Sequence, residues 1–225
     1  RIKLLSDPGI GELRIGCTEA GAAAFVPAVI ARLAASYPRM VFRVETAGPM
    51  TLVERDLPQR RVEIAVGALP DLPRGGDVEA TVLFDDRQFV MAGGGNKWAR
   101  RRRINLAALI DDPWILPPPE SIVGLHIAEV FRSHGLHPPT ARVVSFSIPL
   151  RHTLLAAGRF LTMHPAIMVS LSKHVPLKRL DVEFDGIARP VGIISLKNRS
   201  LSPLAQLFVD TARTLAAPLV RGQKG

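Results

Sequence analysis

Apolar and polar positions fall in short blocks along the chain, and the period changes within about a dozen residues. Leu13-Arg14-Ile15-Gly16-Cys17 is short, apolar and compatible with a strand. The next block carries Val26, Val29, Ile30, Leu33 and Tyr37, which approximates the i, i+3, i+4, i+7 stripe of a helix. Pro27 suits the first turn of that helix, where a missing N–H costs little. Tyr37-Pro38 ends it, because the residue before a proline avoids the helical region. The cycle then repeats, with a strand over 41–45, a short helix over 50–57 and a strand over 62–66. Such alternation predicts a parallel sheet with helices on its faces. Two more strands are expected near 78–84 and 88–92, split by a turn at Asp85-Asp86.

Gly93-Gly94-Gly95 is the clearest break. A second cycle follows: strand 114–116, then Pro117-Pro118-Pro119, then a helix over 122–133 that Gly135 closes at the C′ position. Strand 141–146, helix 148–157, strand 160–163 and a short helix over 165–171 complete it. The tail returns to strand at 190–196. Ser202-Pro203 then starts a helix, a cap followed by proline at N1, with Leu204, Leu207, Phe208, Thr211 and Leu215 along one face. The pattern is that of two α/β lobes.

Composition narrows the partners. The 225 residues are 47% hydrophobic, enough for a sizeable core, and the 29 Lys and Arg against 20 Asp and Glu give +9. That excess favours an anionic partner, such as nucleic acid, a phosphate surface or an acidic metabolite. A single cysteine, Cys17, excludes an intramolecular disulfide framework and a Cys-rich zinc site. No apolar run approaches the roughly 18 residues of a membrane span. Residues 1–11 lack a signal-type apolar core and an initiator Met, so the chain reads as a fragment or a processed product.

Several stretches line up with one family. Leu13-Arg14-Ile15-Gly16, Phe25-Val26-Pro27, Tyr37-Pro38 and Val62-Glu63-Ile64-Ala65 resemble the first lobe of LysR-type transcriptional regulators. Leu154-Leu155-Ala156-Ala157-Gly158 followed by Met163-His164-Pro165 is similar to a turn of that family's second lobe, and Leu201-Ser202-Pro203-Leu204 matches its tail. The resemblance implies the C-terminal effector-binding domain: two Rossmann-like α/β lobes joined by two crossover strands, like a type 2 periplasmic binding protein. It places lobe I at 11–91 plus 190–219 and lobe II at 92–189, with the family's helix-turn-helix and linker helix lacking a counterpart in this chain. Two departures stand out. Glu63 occupies a position where the family usually has Asp. Gly158-Arg159-Phe160 replaces glycine–apolar–glycine, so that turn or its ligand contacts differ from the average member.

In open α/β sheets ligands bind beyond the carboxyl ends of strands, where helix N-termini present N–H groups. That selects Thr18, Glu19 and Ala20 after the first strand, and Gly48, Pro49 and Met50 after the second. In the second lobe it selects Pro119, Glu120 and Ser121, and Ser145, Phe146 and Ser147. The resemblance implies that effectors use these same loops, in a cleft between the lobes. Thr18 and Ser147 are the leading polar contacts, since a hydroxyl both donates and accepts, although either can equally serve as a helix cap. His164 lies at a strand end and is a further contact; His152 and Arg151 sit in the helix after Ser147. Arg151 matches a carboxylate in geometry, but a solvated helix face is its expected place.

Other features carry less chemistry. Cys17 has no local nucleophile signature and is expected to be buried and inert. Arg100-Arg101-Arg102-Arg103 reads as a solvated loop, with only Trp98 as an aromatic neighbour. Gly93-Gly94-Gly95 lacks the Lys-Ser/Thr of a phosphate loop, and Asp85-Asp86 and Asp111-Asp112 read as turn formers and caps. No HExxH, CxxC or clustered His/Asp spacing suggests a metal, and no cofactor is expected.

The first reading is therefore a cytoplasmic, ligand-sensing regulatory domain. It would bind a small, anionic effector and work as a homodimer or tetramer through lobe I/lobe II pairing, using the first helix and strand two. Promoter DNA would be reached only through the missing N-terminal domain. A solute-binding protein of a transport system is the alternative, and an enzyme using Cys17 or His164 is a third.

Overall fold

The computed structural model describes residues 9–71, 76–171, 177–184 and 188–222. They form two units, one taking the described residues up to Asp85 and from Arg189 onward, the other Asp86 to Ala188. The first unit opens with β1 (Gly11–Cys17), a π-helical turn, α1 (Val26–Ser36), β2 (Met40–Thr46), α2 (Pro49–Thr51), a second π-helical turn, β3 (Ile64–Ala68) and β4 (Val78–Asp86). The second holds β5 (Gln88–Gly93), β6 (Ile104–Asn105), β7 (Trp114–Leu116), α3 (Ile122–Ser133), β8 (Ala141–Val144), α4 (Ile148–Ala156), β9 (Leu161–Pro165), α5 (Ala166–Leu171), β10 (Leu177–Arg179) and β11 (Val182–Glu183). β12 (Arg189–Leu196) and α6 (Pro203–Gly222) return to the first unit.

The first sheet has the order β2-β1-β3-β12-β4. β1 pairs in parallel with β2 and β3, so Ile15 lies opposite Val44 on one side and Ile64 on the other. β12 runs antiparallel to β3, which makes the sheet mixed rather than purely parallel. α1 has Pro27 in its first turn and ends as Tyr37 N–H bonds the Leu33 carbonyl at 2.7 Å. Val26, Val29 and Leu33 bury its apolar stripe within this unit. The stripe expected to face a partner thus faces the core. The edge strand β2 exposes Val41 and Val44.

α6 starts where the Ser-Pro signal places it. The Ser202 hydroxyl accepts from Ala205 N–H at 3.1 Å. Glu63 fixes the cap in turn: its carboxylate accepts from Ser202 N–H at 2.7 Å and from the Ser202 hydroxyl at 3.0 Å. The buried face runs through Leu204, Ala205, Phe208, Val209, Ala212 and Ala216. It is rotated from the expected one, because the small alanines allow closer packing than Leu207, Thr211 and Leu215, which stay half-buried.

The second sheet has the order β10-β5-β9-β7-β8, with β7 parallel to β8 and β9, and β5 antiparallel to β9 and β10. Its core gathers Val90, Leu106, Leu109, Trp114, Phe131, Leu161 and Met163. Trp114 meets Phe131 edge to face at 5.6 Å and donates Nε1–H to the Leu109 carbonyl at 2.8 Å. α3 spans the expected residues, with Gly135 at φ +70° just after it. Its amino end packs so closely that a Cβ on Gly124 would lie 2.1 Å from the Pro118 carbonyl oxygen. α4 rests on β5 in the same way: a Cβ on Gly93 would lie 2.1 Å from the Leu155 carbonyl oxygen. The glycine triplet therefore begins inside a strand.

Two local readings change. The expected strand 141–146 stops at Val144, because Ser147 N–H turns back onto the Ser145 hydroxyl at 3.1 Å. Asp86 is the last residue of β4 rather than a turn former, and its buried carboxylate accepts from Ile167 N–H at 3.4 Å. Asp111 and Asp112 lie in the expected turn, and the Asp112 carboxylate also accepts from Trp98 Nε1–H and pairs with Lys97 Nζ, each at 2.7 Å. Arg100, Arg101, Arg102 and Arg103 lie in an exposed loop, and Arg103 pairs with Glu183 at 2.8 Å. No helix among the described residues is long and apolar enough to cross a membrane.

Candidate functional site

The carboxyl ends of β1 and β2 place the first set of loops. Thr18 follows β1 directly: its N–H bonds the Val66 carbonyl at 3.1 Å and its hydroxyl accepts from Gly21 N–H at 3.3 Å. Its side chain covers Gly67, where any Cβ would lie 2.6 Å from Thr18 Cγ2. Glu19 and Ala20 follow, both half-buried, in the turn leading to α1. Gly48 caps α2 in extended geometry, with Pro49 and Met50 as its first residues. Around Gly48 a Cβ would meet nothing nearer than Thr51 Oγ1 at 3.9 Å, so the backbone there is open to approach.

The second unit repeats the device. Ser121 caps α3, accepting from Gly124 N–H at 3.0 Å while donating to the Pro118 carbonyl at 2.6 Å. Pro119 and Glu120 before it are exposed. Ser147 caps α4 through a longer bond, 3.4 Å from Leu150 N–H. Between Ser145 and Ser147 the Phe146 ring is 44% exposed, an aromatic face held out at the end of β8. The selected hydroxyls thus act as caps, and each oxygen keeps capacity for another bond.

His164 lies at the carboxyl end of β9, as expected. It is 1% exposed, deep inside the second unit. Arg151 departs from its expected place. It was expected on a solvated face, yet Ile148, Arg151 and Leu155 are the buried residues of α4. Their i, i+3, i+7 spacing is the signal in the sequence that could have found it. Arg151 Nη2–H donates to the Thr162 hydroxyl and to the Met163 carbonyl at 2.7 Å, and Thr162 donates to the Ile115 carbonyl at 2.6 Å. Burial lowers the Arg151 pKa to about 10, so the guanidinium stays charged at neutral pH. Sequence reasoning missed Thr162 as its partner.

His152 and His164 stand beside it, their rings edge to face at 5.1 Å. Burial, then the Arg151 charge, then His152 hold His164 well below the usual histidine range; burial and Arg151 lower His152. Both are neutral at pH 7. Among the described residues, Arg151 Nε, His152 Nε2 and both ring nitrogens of His164 have no hydrogen-bond partner.

Two further groups bear on chemistry. Cys17 is buried, and burial and then Glu19 push its thiol up to about 12, so it is not a thiolate at neutral pH. Among the described residues no group of three or more His, Cys, Asp or Glu could hold a metal ion. In the first unit a cavity of about 300 Å³ lies beside the amino end of β3, lined in part by Arg14, Arg60, Glu63 and Arg199. It is remote in the sheet from the carboxyl-end loops.

Residues 6–217 match the LysR substrate binding domain family. The chain is 23% identical over 205 residues to the transcriptional dual regulator GltC of Bacillus subtilis, covering 91% of this chain and 67% of that protein. It spans about two-thirds of the length of the curated relatives it matches. Among solved structures, the CcmR regulatory domain of Synechocystis PCC6803 in complex with 2-PG is similar at a TM-score of 0.74 and 19% identity, over 92% of this chain and 97% of that one. The BenM effector binding domain with its effector benzoate is similar at a TM-score of 0.73 and 22% identity, over 92% and 93%.

Proposed function

The chain belongs to the LysR substrate-binding domain family, and from that premise we propose that it senses a small molecule for a transcriptional regulator. The family match along nearly the whole chain carries the reading, and it supports a regulator over the solute-binding protein of a transport system. The ligand contacts the strand-end loops: Thr18, Glu19, Ala20, Gly48 and Pro49 in the first unit, and Ser121, Phe146 and Ser147 in the second. His164 contributes from the buried cluster behind the second set rather than as a loop contact. The ligand is anionic, in keeping with the +9 charge. The benzoate of BenM, a carboxylate, supports the same class.

A ligand that binds one arrangement of the protein more tightly than another shifts the population toward it. In the full-length regulator the shift passes through a homodimer or tetramer to promoter-bound DNA-binding domains in the cytoplasm. Val41 and Val44 on the β2 edge, and Leu125 and Val144 in the second unit, supply exposed apolar surface for such pairing. Regulation rather than catalysis fits Cys17, whose thiol is protonated and buried.

Thermal unfolding of the 225-residue chain against carboxylates, sugar acids, amino acids and neutral sugars tests the reading. A ligand at a hundred times its Kd stabilises by about 2.7 kcal/mol. At roughly 2–4 °C per kcal/mol this raises Tm by about 5–10 °C. Changing Thr18 and Ser147 together to alanine abolishes the shift, measured from the variant's own baseline because both residues cap turns. A full shift in the double variant overturns the site.

A further inference from the structure

We propose that Arg151, His152 and His164 form a built receptor for one anionic group, a carboxylate or a phosphate, inside the second unit. This deepens the sensor reading and rests on it for the ligand's role, while the receptor itself stands on the geometry of α4, β9 and β5. β9 alternates its side chains, so Thr162 and His164 share one face of the sheet. Phe89 of β5, opposite His164 in register, shares that face too. α4 lays Arg151 and His152 over it, and Arg151 reaches Thr162 and Met163.

The charge on this face is unbalanced. Arg151 is buried and cationic, and among the described residues no carboxylate bonds to it. The other cation there, Arg179 of β10, stacks 3.3 Å from the centre of the Phe89 ring and has Asp181 as a neighbouring acid, so its charge is served locally. Buried charges are normally paired, because removing one from water without a partner is expensive. Buried nitrogens are also normally bonded, and here Arg151 Nε, His152 Nε2 and both ring nitrogens of His164 are not.

A carboxylate or phosphate offsets the charge and bonds every donor in the set, leaving only the acceptor nitrogen of each neutral ring outside its reach. Its oxygens accept from the guanidinium edge and from the N–H of each neutral imidazole, and its charge offsets Arg151. A metal ion does not fit, since the charged member of the set repels it. A neutral sugar would bond the nitrogens and leave the charge uncompensated. His152, only half-buried, connects the cluster to the surface of the unit.

The test titrates the 225-residue chain with inorganic phosphate, acetate and benzoate at constant ionic strength, with glycerol as the neutral control. Calorimetry reads binding, and ring ¹⁵N resonances of His152 and His164 report the site. At least one anion binds saturably and moves both histidine signals. Arg151→Met weakens it at least tenfold while keeping its fold by circular dichroism, and His164→Leu weakens it at least threefold should Arg151→Met fail to fold. Arg199→Gln, which removes an exposed arginine of the other unit, leaves affinity within twofold. No binding by any of the anions overturns the proposal, as does unchanged affinity in Arg151→Met or His164→Leu. Histidine signals that stay still overturn it too. An effector from the thermal panel that is neutral and indifferent to Arg151 overturns the anion receptor but leaves the sensor standing. Arg151-dependent anion binding that Thr18 and Ser147 do not influence, with no responding effector, keeps the receptor and overturns the sensor.

Discussion

Replacing Glu63 by alanine removes the carboxylate that holds the first turn of α6, and the loss can be worked from its bonds. Glu63 accepts from Ser202 N–H at 2.7 Å and from the Ser202 hydroxyl at 3.0 Å, in a partly buried setting. A hydrogen bond to a charged group contributes about 1.5–3 kcal/mol. An anion at a helix N-terminus adds about 0.3–1 kcal/mol. The Ser202 hydroxyl still caps Ala205 in the variant, so the expected loss is about 2–3 kcal/mol rather than the full sum. At roughly 2–4 °C per kcal/mol, Tm falls by about 5–10 °C. Glu63→Gln keeps an acceptor without the charge and loses about 1 kcal/mol. Urea denaturation of wild type, Glu63→Ala, Ser202→Ala and the double variant gives the coupling between the two residues directly. Coupling below about 0.5 kcal/mol, or equal losses in Glu63→Ala and Glu63→Gln, refutes the account.

Gly93→Ala drives a Cβ to 2.1 Å from the Leu155 carbonyl oxygen, backbone against backbone, and loses about 3 kcal/mol by denaturant midpoint. Gly94→Ala, with nothing within 4 Å, stays within about 0.5 kcal/mol. Native Cys17 fails to react with a thiol reagent at pH 8 until the chain is unfolded, because its pKa lies at about 12. Stability falls as pH drops through about 6.5, because His152 and His164 bind protons more readily when unfolded, and His164→Phe flattens that fall. Asp86 acts in the opposite sense. Burial raises its pKa to about 6, so its contribution is full below 3.8 and is lost as pH rises through 6. Asp86→Asn accordingly stabilises at pH 8 by roughly 1–3 kcal/mol and leaves stability unchanged near pH 3.

The order of strands and helices was legible because each sat between punctuation the sequence displays. Pro27, Tyr37-Pro38, Gly135 and Ser202-Pro203 mark helix ends by steric rules that hold in any context. Pairing was less legible. The antiparallel insertion of β12 beside β3 depends on where the chain returns after a hundred residues, and no local period encodes that. The strand-end loops followed from topology alone; Thr18 and Ser147 act as the caps weighed for them, and Ser121 caps α3 as well. Arg151 was misplaced because charge was read before spacing. It lies three residues after Ile148 and four before Leu155, on the stripe that packs inward. Thr162 and His164 were legible as strand-end residues but not as neighbours of Arg151: β9 is buried on both faces, so alternation gives no outward side to tell which residues meet α4.

The second unit leaves and returns between β4 and β12, neighbouring strands of the first sheet. During synthesis this makes the two units unequal. The second is one continuous stretch and can complete its sheet as soon as it emerges from the ribosome. The first must keep β1–β4 waiting, with the β3 edge unpaired, until β12 and α6 arrive. Closing an unstructured loop of about a hundred residues costs roughly 4 kcal/mol in chain entropy. A second unit that has already folded replaces that slack chain with a compact insert, so its early folding lowers the barrier to completing the first. Substitutions deep in the second unit would then act at a distance in time, leaving an exposed strand edge open to misassembly while the nascent first unit waits for its last strand.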